Sequence, residues 1–575
     1  MKSDLRNVGL IIALTVALHL PFLRQGIHLD DVAFLDIASN IAKSPLFPLD
    51  MPYVFTGKHV SMWGHTHPPL NSYLIAAVMF LSGGTASEVV LHSVYLLFPL
   101  LATVSFYFLA KRFVQTPFLA AAVFACLPAL VVIANSVQAD SPLLALWLCA
   151  VALFIRGNDR NESRVEALAV LPITAAVFMA YQGVAVIPLL AFYAFQRGRL
   201  TKRTALLLCL PFFGLLSWQL LGFLYKGSSY ATVLSGYLLE RRQIWLLKTK
   251  IRNVASTLGY LGGTFVLFPF LLITFGRRWK GLLALIGLAG GMAAVAAVYR
   301  LAFHYGWAQK AFFIVCFAGG FVACLWALAG GLRSLRKESN PDDVFLCLWF
   351  LGVVFYCIAV FDHGSARYLL PGAAPLILLL VRANEAALAG LGRWRLFYAT
   401  LLPCQLVLGL SLAHADYEVA QTYRQAGLDF GKQYLPIRRP FLFSAECDLR
   451  YYLTVLGGQI MADDTVADPG ELVVKSRNLL SIAFDNQLDR SLEVVGRKTY
   501  WVSSPLRLLD DNAKAGFWSD GWGVLPFWFS RQPLDVITVY RVGQSYKPPS
   551  GPAGTEKTRS QTSSLPAGPF HPVKD

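Results

Sequence analysis

The sequence predicts an all-α polytopic membrane protein of about thirteen transmembrane helices, followed by a small C-terminal α/β domain outside the membrane. Three observations carry this. Of 575 residues, 56% are hydrophobic and only 15% charged, with mean hydropathy +0.52, whereas a soluble domain carries about 25% charged residues. Apolar runs long enough to cross a bilayer recur up to about Ala415. Beyond Ala415 the runs shorten, charges rise and turn residues recur. The composition excludes an ordinary cytosolic enzyme, a disordered chain and a nucleic-acid-binding domain.

The apolar segments start near residues 8, 88, 117, 141, 166, 184, 204, 254, 281, 311, 343, 368 and 396. The first, Val8 to Phe22, ends in HLPFLRQG, which offers no small-residue cleavage site. It reads as a retained helix rather than a signal peptide. Fifty Lys and Arg against 34 Asp and Glu give a net charge of +16. The basic residues cluster at Lys111-Arg112, Arg156 to Arg164, Arg197 to Arg203, Arg277 to Lys280, Arg333 to Lys337 and Arg382 to Arg395. These fall in alternate loops, which the positive-inside rule places in the cytoplasm. The outer loops are then Arg24 to Ser87, Asn135 to Asp140, Tyr225 to Asn253, Tyr299 to Lys310, Asp362 to Arg367, and everything after about Ala415. The Tyr225 to Asn253 loop breaks the charge rule, with Lys226, Arg241, Arg242, Lys248, Lys250 and Arg252. An anionic ligand or lipid headgroup would explain it.

Eight of the nine cysteines lie in apolar stretches and read as small core residues. Only Cys447 lies in the polar C-terminal region, and neither a disulfide framework nor zinc spacing is present.

The first outer loop, residues 24–87, is long, and long loops in compact proteins are usually functional or disordered. Its DDVAFLDIASNIAK stretch puts Asp36, Ser39, Asn40 and Lys43 on one helical face and Phe34, Ile37, Ala38 and Ile41 on another. Such a helix would lie in the membrane interface. Pro68 to Leu81 reads as a second interfacial helix, with a full span as the alternative.

Four places could do chemistry. Asp30-Asp31, just past the first helix, either cap the interfacial helix or supply a general base that takes the proton of an attacking hydroxyl. His65 and His67 could bind a metal or, protonated, a phosphate, or form a solvated turn before Pro68-Pro69. Asp140 opens a membrane helix with Ser141 at the N-cap and Pro142 at N1, ordinary helix-start chemistry, yet it stands at the same membrane level as Asp30. Arg367, in Arg367-Tyr368-Leu369-Leu370-Pro371, either snorkels to headgroups or holds a phosphate with its planar fork.

In the C-terminal region PFLFSAE, GELVVKS and DVITVYRV read as strands and CDLRYYLTVLG as a helix. The expected domains are a transmembrane part over 1–414, an extracytoplasmic α/β domain over 415–545 and a disordered Pro/Ser/Gly-rich tail over 546–575.

An acid pair after the first helix, an interfacial helix, an H-P-P-L turn, an acid opening a later helix, an R-Y-L-L-P segment and an outer domain together resemble the GT-C glycosyltransferases. Within them, the chain is most similar to the protein O-mannosyltransferase and aminoarabinose transferase group and its bacterial RgtA/B/C/D-like relatives. The resemblance covers roughly residues 1–415, and the thirteen-helix count matches the aminoarabinose transferases. It implies transfer of a hexose or pentose from a polyprenyl-phosphate carrier, with inversion, at the extracytoplasmic face of the membrane. Carried over by motif, Asp30 and Asp31 become the catalytic acids, with Asp30 the first candidate for the base. His67, with His65 beside it, falls near the carrier phosphate, and Asp140, Arg367 and Tyr368 fall on substrate-binding positions. Where many relatives carry a Lys-Gly-Pro-like element, this chain reads Ala180-Tyr181-Gln182-Gly183, which removes one phosphate cation.

The expected partners are the polyprenyl-phosphate sugar, a protein, lipid or glycan acceptor, and membrane lipids, with no nucleic acid. No cofactor is assigned, and a divalent metal is left open. The alternative is a lipid-linked saccharide flippase or polysaccharide polymerase. Transporters place ionisable residues near the bilayer midplane, whereas the acids here cluster at one face.

Overall fold

The computed structural model describes residues 2–84, 87–240, 246–265, 277–299, 305–336, 340–361, 363–388, 394–434, 441–482 and 484–548. Arg241, Arg242 and Asp362 lie outside these, as does the tail from residue 549. Among the described residues, seven helices are long and apolar enough to cross a membrane: Ser3–Phe22, Glu88–Phe113, Asp140–Arg160, Lys202–Lys226, Trp307–Arg336, Pro341–Ala359 and Tyr398–Tyr434. They coincide with seven of the thirteen expected segments, and the protein is a multi-pass membrane protein.

The remaining expected segments are helical too, but shorter, interrupted or more polar. The run from 117 is split into Pro117–Ala125 and Pro128–Ile133, because Pro128 lacks the N–H that would continue the ladder. The run from 166 breaks between Ser163–Leu168 and Val170–Met179. Leu247–Thr264 starts with Lys248, Lys250 and Arg252, which dilute its hydropathy.

The helix Lys202–Lys226 leaves Leu206, Leu210, Phe213, Leu216, Leu220 and Leu224 exposed along its length. A row of such side chains on a long apolar helix faces lipid.

The connecting loops gather into two groups. Arg112, Asp159, Arg197, Asp342 and Arg382 meet in one ion network, with Arg112 Nη1 2.9 Å from Asp342 Oδ2 and Arg112 Nε 2.5 Å from Asp159 Oδ2. Asp30, Asp140 and Arg367 meet in another. Asp140 and Asp159 stand near opposite ends of the 21-residue helix Asp140–Arg160, which is about 30 Å long at 1.5 Å per residue. The two sets of loops distinguished by charge are therefore two ends of the helix bundle.

The loop over 24–87 contains the helix Asp31–Ile41, the hairpin Pro52–Phe55 and Lys58–Ser61, and the helix Leu70–Leu81. The hairpin turns through Thr56 and Gly57, both at positive φ (48° and 80°), as a two-residue turn with the twist of its strands requires. The apolar face of Asp31–Ile41 is covered by protein, while Asp36, Ser39 and Asn40 stay partly or fully exposed. The helix buries Val32, Phe34, Leu35, Ile37 and Ala38, packed on Leu70–Leu81 and on Cys447–Val455.

The C-terminal sheet runs in the order Gln459–Ile460, Phe441–Ser444, Leu472–Ser476, Asp535–Val542, Leu492–Tyr500. Phe441–Ser444 is parallel to both neighbours, and Asp535–Val542 is antiparallel to both of its own. The expected strands and the expected helix, Cys447–Val455, are all present.

Two expected boundaries move. No break falls at 414/415, because Trp394–Tyr434 is one 41-residue helix. Its stripe Val419, Tyr423, Ala426 and Phe430 continues past the apolar run and packs on Phe441, Phe443, Val474 and Ile537 of the sheet. The domain also does not end at 545. Tyr546 is buried, pairs with Ala467 backbone to backbone and donates its hydroxyl to Asp485 at 2.8 Å.

Candidate active site

Asp30 stands at the N-cap position of Asp31–Ile41, but its side chain makes no capping bond. Its Oδ2 instead lies 2.8 Å from Nη1 of Arg367, with 52% of the side chain exposed. Asp140 Oδ2 is 3.8 Å from the same Nη1. Asp140 is the first residue of its helix and Ala139 is the N-cap, so the expected cap by Ser141 is not made; the Ser141 hydroxyl is buried without a hydrogen-bond partner among the described residues. Arg367 itself is 8% exposed. Nη1 also donates to Gln138 Oε1, and Nη2 lies 3.2 Å from the Tyr368 hydroxyl. Three residues from three separate loops thus form a carboxylate–guanidinium–carboxylate bridge. Arg367 is not extended toward headgroups; burial between two acids replaces the snorkelling alternative.

Enclosure would push the Asp30 carboxyl up, but the Arg367 guanidinium, helped by His363 and His67, outweighs this and holds it below the usual range. Asp30 is therefore ionised and reachable from solvent.

Asp31 is placed differently. It is fully buried and accepts from His28 N–H at 3.0 Å and Val137 N–H at 3.1 Å. Burial pushes its carboxyl up to about 8. Its oxygens hold backbone rather than face an open space.

His65 and His67 form a compact turn. His65 Nδ1 is 3.1 Å from the His67 carbonyl, and both rings meet Phe34 edge-on at 5.7 and 5.4 Å. Burial, with His65 and Arg367 nearby, lowers His67 to about 3, so it stands as a neutral imidazole rather than the expected cation. Among the described residues no three His, Cys, Asp or Glu side chains form a group able to hold a metal ion; Asp30 and Asp140 face a guanidinium.

The C-terminal domain holds the Arg367 segment in place. Asp520 Oδ2 accepts from Gly364 N–H and from the Ser256 hydroxyl, both at 2.9 Å, and Asp520 Oδ1 is 3.2 Å from Arg252 Nε. Ala366 N–H donates to the Phe517 carbonyl at 2.9 Å. The basic loop is thereby partly explained: Arg252 pairs with Asp520, Lys226 pairs with Asp50, and Lys250 donates to the carbonyls of Ile358, Ala359 and Phe361.

Tyr368 stacks on Phe361 with ring centroids 3.7 Å apart and also lines an apolar groove of about 280 Å³. Its other walls include Trp147, Leu189, Trp349, Val353 and Pro371. The groove and the charged cluster therefore share one residue.

His28, Gln138, Asp416, Asp448 and Asp520 also belong to this region, though no motif marks them. The signals short of a motif are a His two residues before the acid pair, and Gly516-Phe517-Trp518-Ser519-Asp520-Gly521-Trp522-Gly523, an unusually aromatic and glycine-rich turn for a polar domain.

Residues 66–220, which include His67 and Asp140, match the family described as dolichyl-phosphate-mannose-protein mannosyltransferase. No curated protein matches the chain. Among solved structures, the archaeal oligosaccharyltransferase AglB from Archaeoglobus fulgidus, in complex with an inhibitory peptide and a dolichol-phosphate, is 14% identical with a TM-score of 0.46, over 80% of this chain and 64% of that one. The chain thus spans less than two thirds of AglB. ArnT from Cupriavidus metallidurans, bound to undecaprenyl phosphate, is 13% identical with a TM-score of 0.42, over 93% of this chain and 97% of that one. The S. cerevisiae protein O-mannosyltransferase Pmt1-Pmt2 complex, bound to its sugar donor, is 16% identical with a TM-score of 0.32, over 40% of this chain and 34% of that one. The family match falls within the span of the motif resemblance, and the chain is similar to the GT-C membrane glycosyltransferases.

Proposed function

We propose that this protein is a membrane glycosyltransferase that moves a sugar from a polyprenyl-phosphate carrier to an acceptor hydroxyl, with inversion, on the extracytoplasmic side. The observation that carries the reading is the pairing of Asp30, ionised and half-exposed, with Arg367, buried beside an apolar groove. The family match to dolichyl-phosphate-mannose-dependent enzymes supports the carrier class.

The acceptor oxygen attacks the anomeric carbon and its proton passes to an Asp30 oxygen. The bond from that carbon to the phosphate oxygen breaks, and its electron pair leaves with the polyprenyl phosphate. Attack from the face opposite the leaving group inverts the centre. Charge grows on the departing phosphate, and a fixed cation stabilises it where water is scarce. Arg367 supplies that cation; its Nε is buried and has no hydrogen-bond partner among the described residues. Asp140 keeps the guanidinium in place from the other side, while His67 offers a neutral hydrogen-bonding ring. Asp31 acts by fixing the backbone before and across from Asp30. The apolar groove takes the isoprenoid chain, with Tyr368 between chain and phosphate.

The test is twofold. Mass spectrometry of surface glycans from a deletion strain should show loss of one sugar, restored by the parent gene and not by Asp30→Asn. Purified enzyme in nanodiscs, given polyprenyl-phosphate hexoses and pentoses in turn with membrane extract as acceptor, should release polyprenyl phosphate from one of them. Translocation of the donor across a bilayer without transfer would sink the reading.

A further inference from the structure

The residue two before Asp30 is held in a way the reaction itself does not require. His28 is fully buried. Its Nδ1 lies 2.5 Å from Asp448 Oδ1, on the helix Cys447–Val455, and its Nε2 lies 3.2 Å from Asp416 Oδ1, on the long helix Trp394–Tyr434. Trp518 meets the ring edge-on at 5.6 Å and donates its indole N–H to the same Asp416 oxygen at 2.7 Å. The backbone around His28 is tied to the same domain: Ile27 N–H donates to the Tyr452 hydroxyl at 2.9 Å and Leu29 N–H to Asp448 Oδ2 at 3.2 Å. His28 N–H donates to Asp31. Leu29, between His28 and Asp30, sits at φ 50°, a conformation leucine seldom adopts without being held there.

We propose that His28 is a positioning residue: clamped between Asp416 and Asp448, its ring fixes the turn from Ile27 to Asp31 and so aims Asp30 at the reacting hydroxyl, making the site depend on the C-terminal domain. This rests on the reading of Asp30 as base. Two buried carboxylates that face one ring need a positive charge between them. Burial alone would lower the His28 pKa, but Asp448 and Asp416 outweigh it and hold the ring protonated, well above its ordinary value. Asp31 accepts from the His28 backbone N–H, Trp518 meets the ring from the C-terminal loop, and His92 lies close enough to feel its charge.

The test compares the full chain in nanodiscs with His28→Gln, Asp448→Asn and Asp30→Asn, using whichever polyprenyl-phosphate hexose or pentose supports transfer. A displaced base costs turnover on the order of a hundredfold, so His28→Gln should lose that much kcat while the donor KM stays within about threefold of the parent. Amide hydrogen exchange over residues 27–31 should accelerate in His28→Gln and stay slow elsewhere in the first loop. Should His28→Gln fail to accumulate, Asp448→Asn carries the same expectation, because it keeps the shape while weakening the clamp on the ring and on Leu29. Parent-like turnover and parent-like exchange in a folded variant overturn the proposal. Inactive Asp30→Asn beside active His28→Gln overturns the positioning role alone. Active Asp30→Asn overturns the base reading, and exchange over 27–31 then decides the clamp: acceleration upholds it and no change overturns it.

Discussion

Gly364 and Asp520 hydrogen-bond each other twice: Gly364 N–H donates to Asp520 Oδ2, and Asp520 N–H donates to the Gly364 carbonyl, each at 2.9 Å. This pair ties the turn before Arg367 to a loop of the C-terminal domain. A Cβ on Gly364 would lie 2.0 Å from Ser256 Oγ and 3.2 Å from Asp520 Oδ2. Gly364→Ala should therefore cost about 1–3 kcal/mol through crowding. Thermal unfolding in nanodiscs should show the loss, and turnover should fall with it, because Arg367 follows three residues later.

Asp30→Asn should remove transfer by at least about 10²-fold while the protein still accumulates in the membrane, with a melting temperature lowered only by the lost pairing with Arg367. The carboxylate makes no capping bond, so the helix start loses little when the charge goes. A quantitative transfer assay beside a melting curve checks both halves. Normal turnover would remove Asp30 from the reaction.

Asp31→Asn should act on stability. Asn offers one acceptor oxygen where two backbone N–H groups now each have their own, so one is left poorly satisfied at a cost of about 1–3 kcal/mol. The pH response has a definite sign. The Asp31 carboxyl is held at about 8 in the fold, against an ordinary 3.8. The folded protein keeps a proton that the unfolded chain releases between those values, so this group's contribution falls as pH rises from 3.8 to about 8. Melting temperatures measured at pH 5 and pH 8 should differ less in Asp31→Asn than in the parent.

Arg367→Lys tests the fork. Lys keeps the charge but cannot reach Asp30, Gln138 and Tyr368 in one plane. Turnover should fall sharply, and the acid limb of kcat/KM should move to higher pH, because Arg367 is what holds the Asp30 carboxyl below 3.8. In the parent this pairing stabilises the fold above 3.8 and is lost as pH drops through the lower, folded value. An unmoved acid limb would mean that Asp30 is not the group titrating in catalysis.

A chain ending at Pro548 should melt and turn over like the parent. One ending at Val542 should melt lower, because it loses the Tyr546 ring, its backbone pairing with Ala467 and its bond to Asp485. Differential scanning of the two truncations decides where the domain ends.

Local periodicity and charge placed the long helices, the small domain's strands and the two groups of loops, because each depends on residues near one another in sequence. The clustering of Asp30, Asp140 and Arg367 followed from putting their loops on one side. What could not be read was partner choice. Whether Asp30 caps a helix or bonds an arginine depends on a residue in another loop, and Asp31 differs from its neighbour only by pointing inward. The lowering of His67 was not legible either, because its enclosure and the nearness of His65 and Arg367 come from the fold rather than from a short polar motif. The 414/415 boundary was misplaced because composition changes where the helix leaves its apolar surroundings, while the helix itself continues.

The clamp on His28 also has a biosynthetic meaning. Asp448 follows His28 by 420 residues. At about 5–20 residues per second, the turn that bears Asp30 is inserted roughly 20–80 s before its anchor exists. A nascent or truncated chain therefore holds the turn from Ile27 to Asp31 without the bonds that Tyr452 and Asp448 make to Ile27, His28 and Leu29.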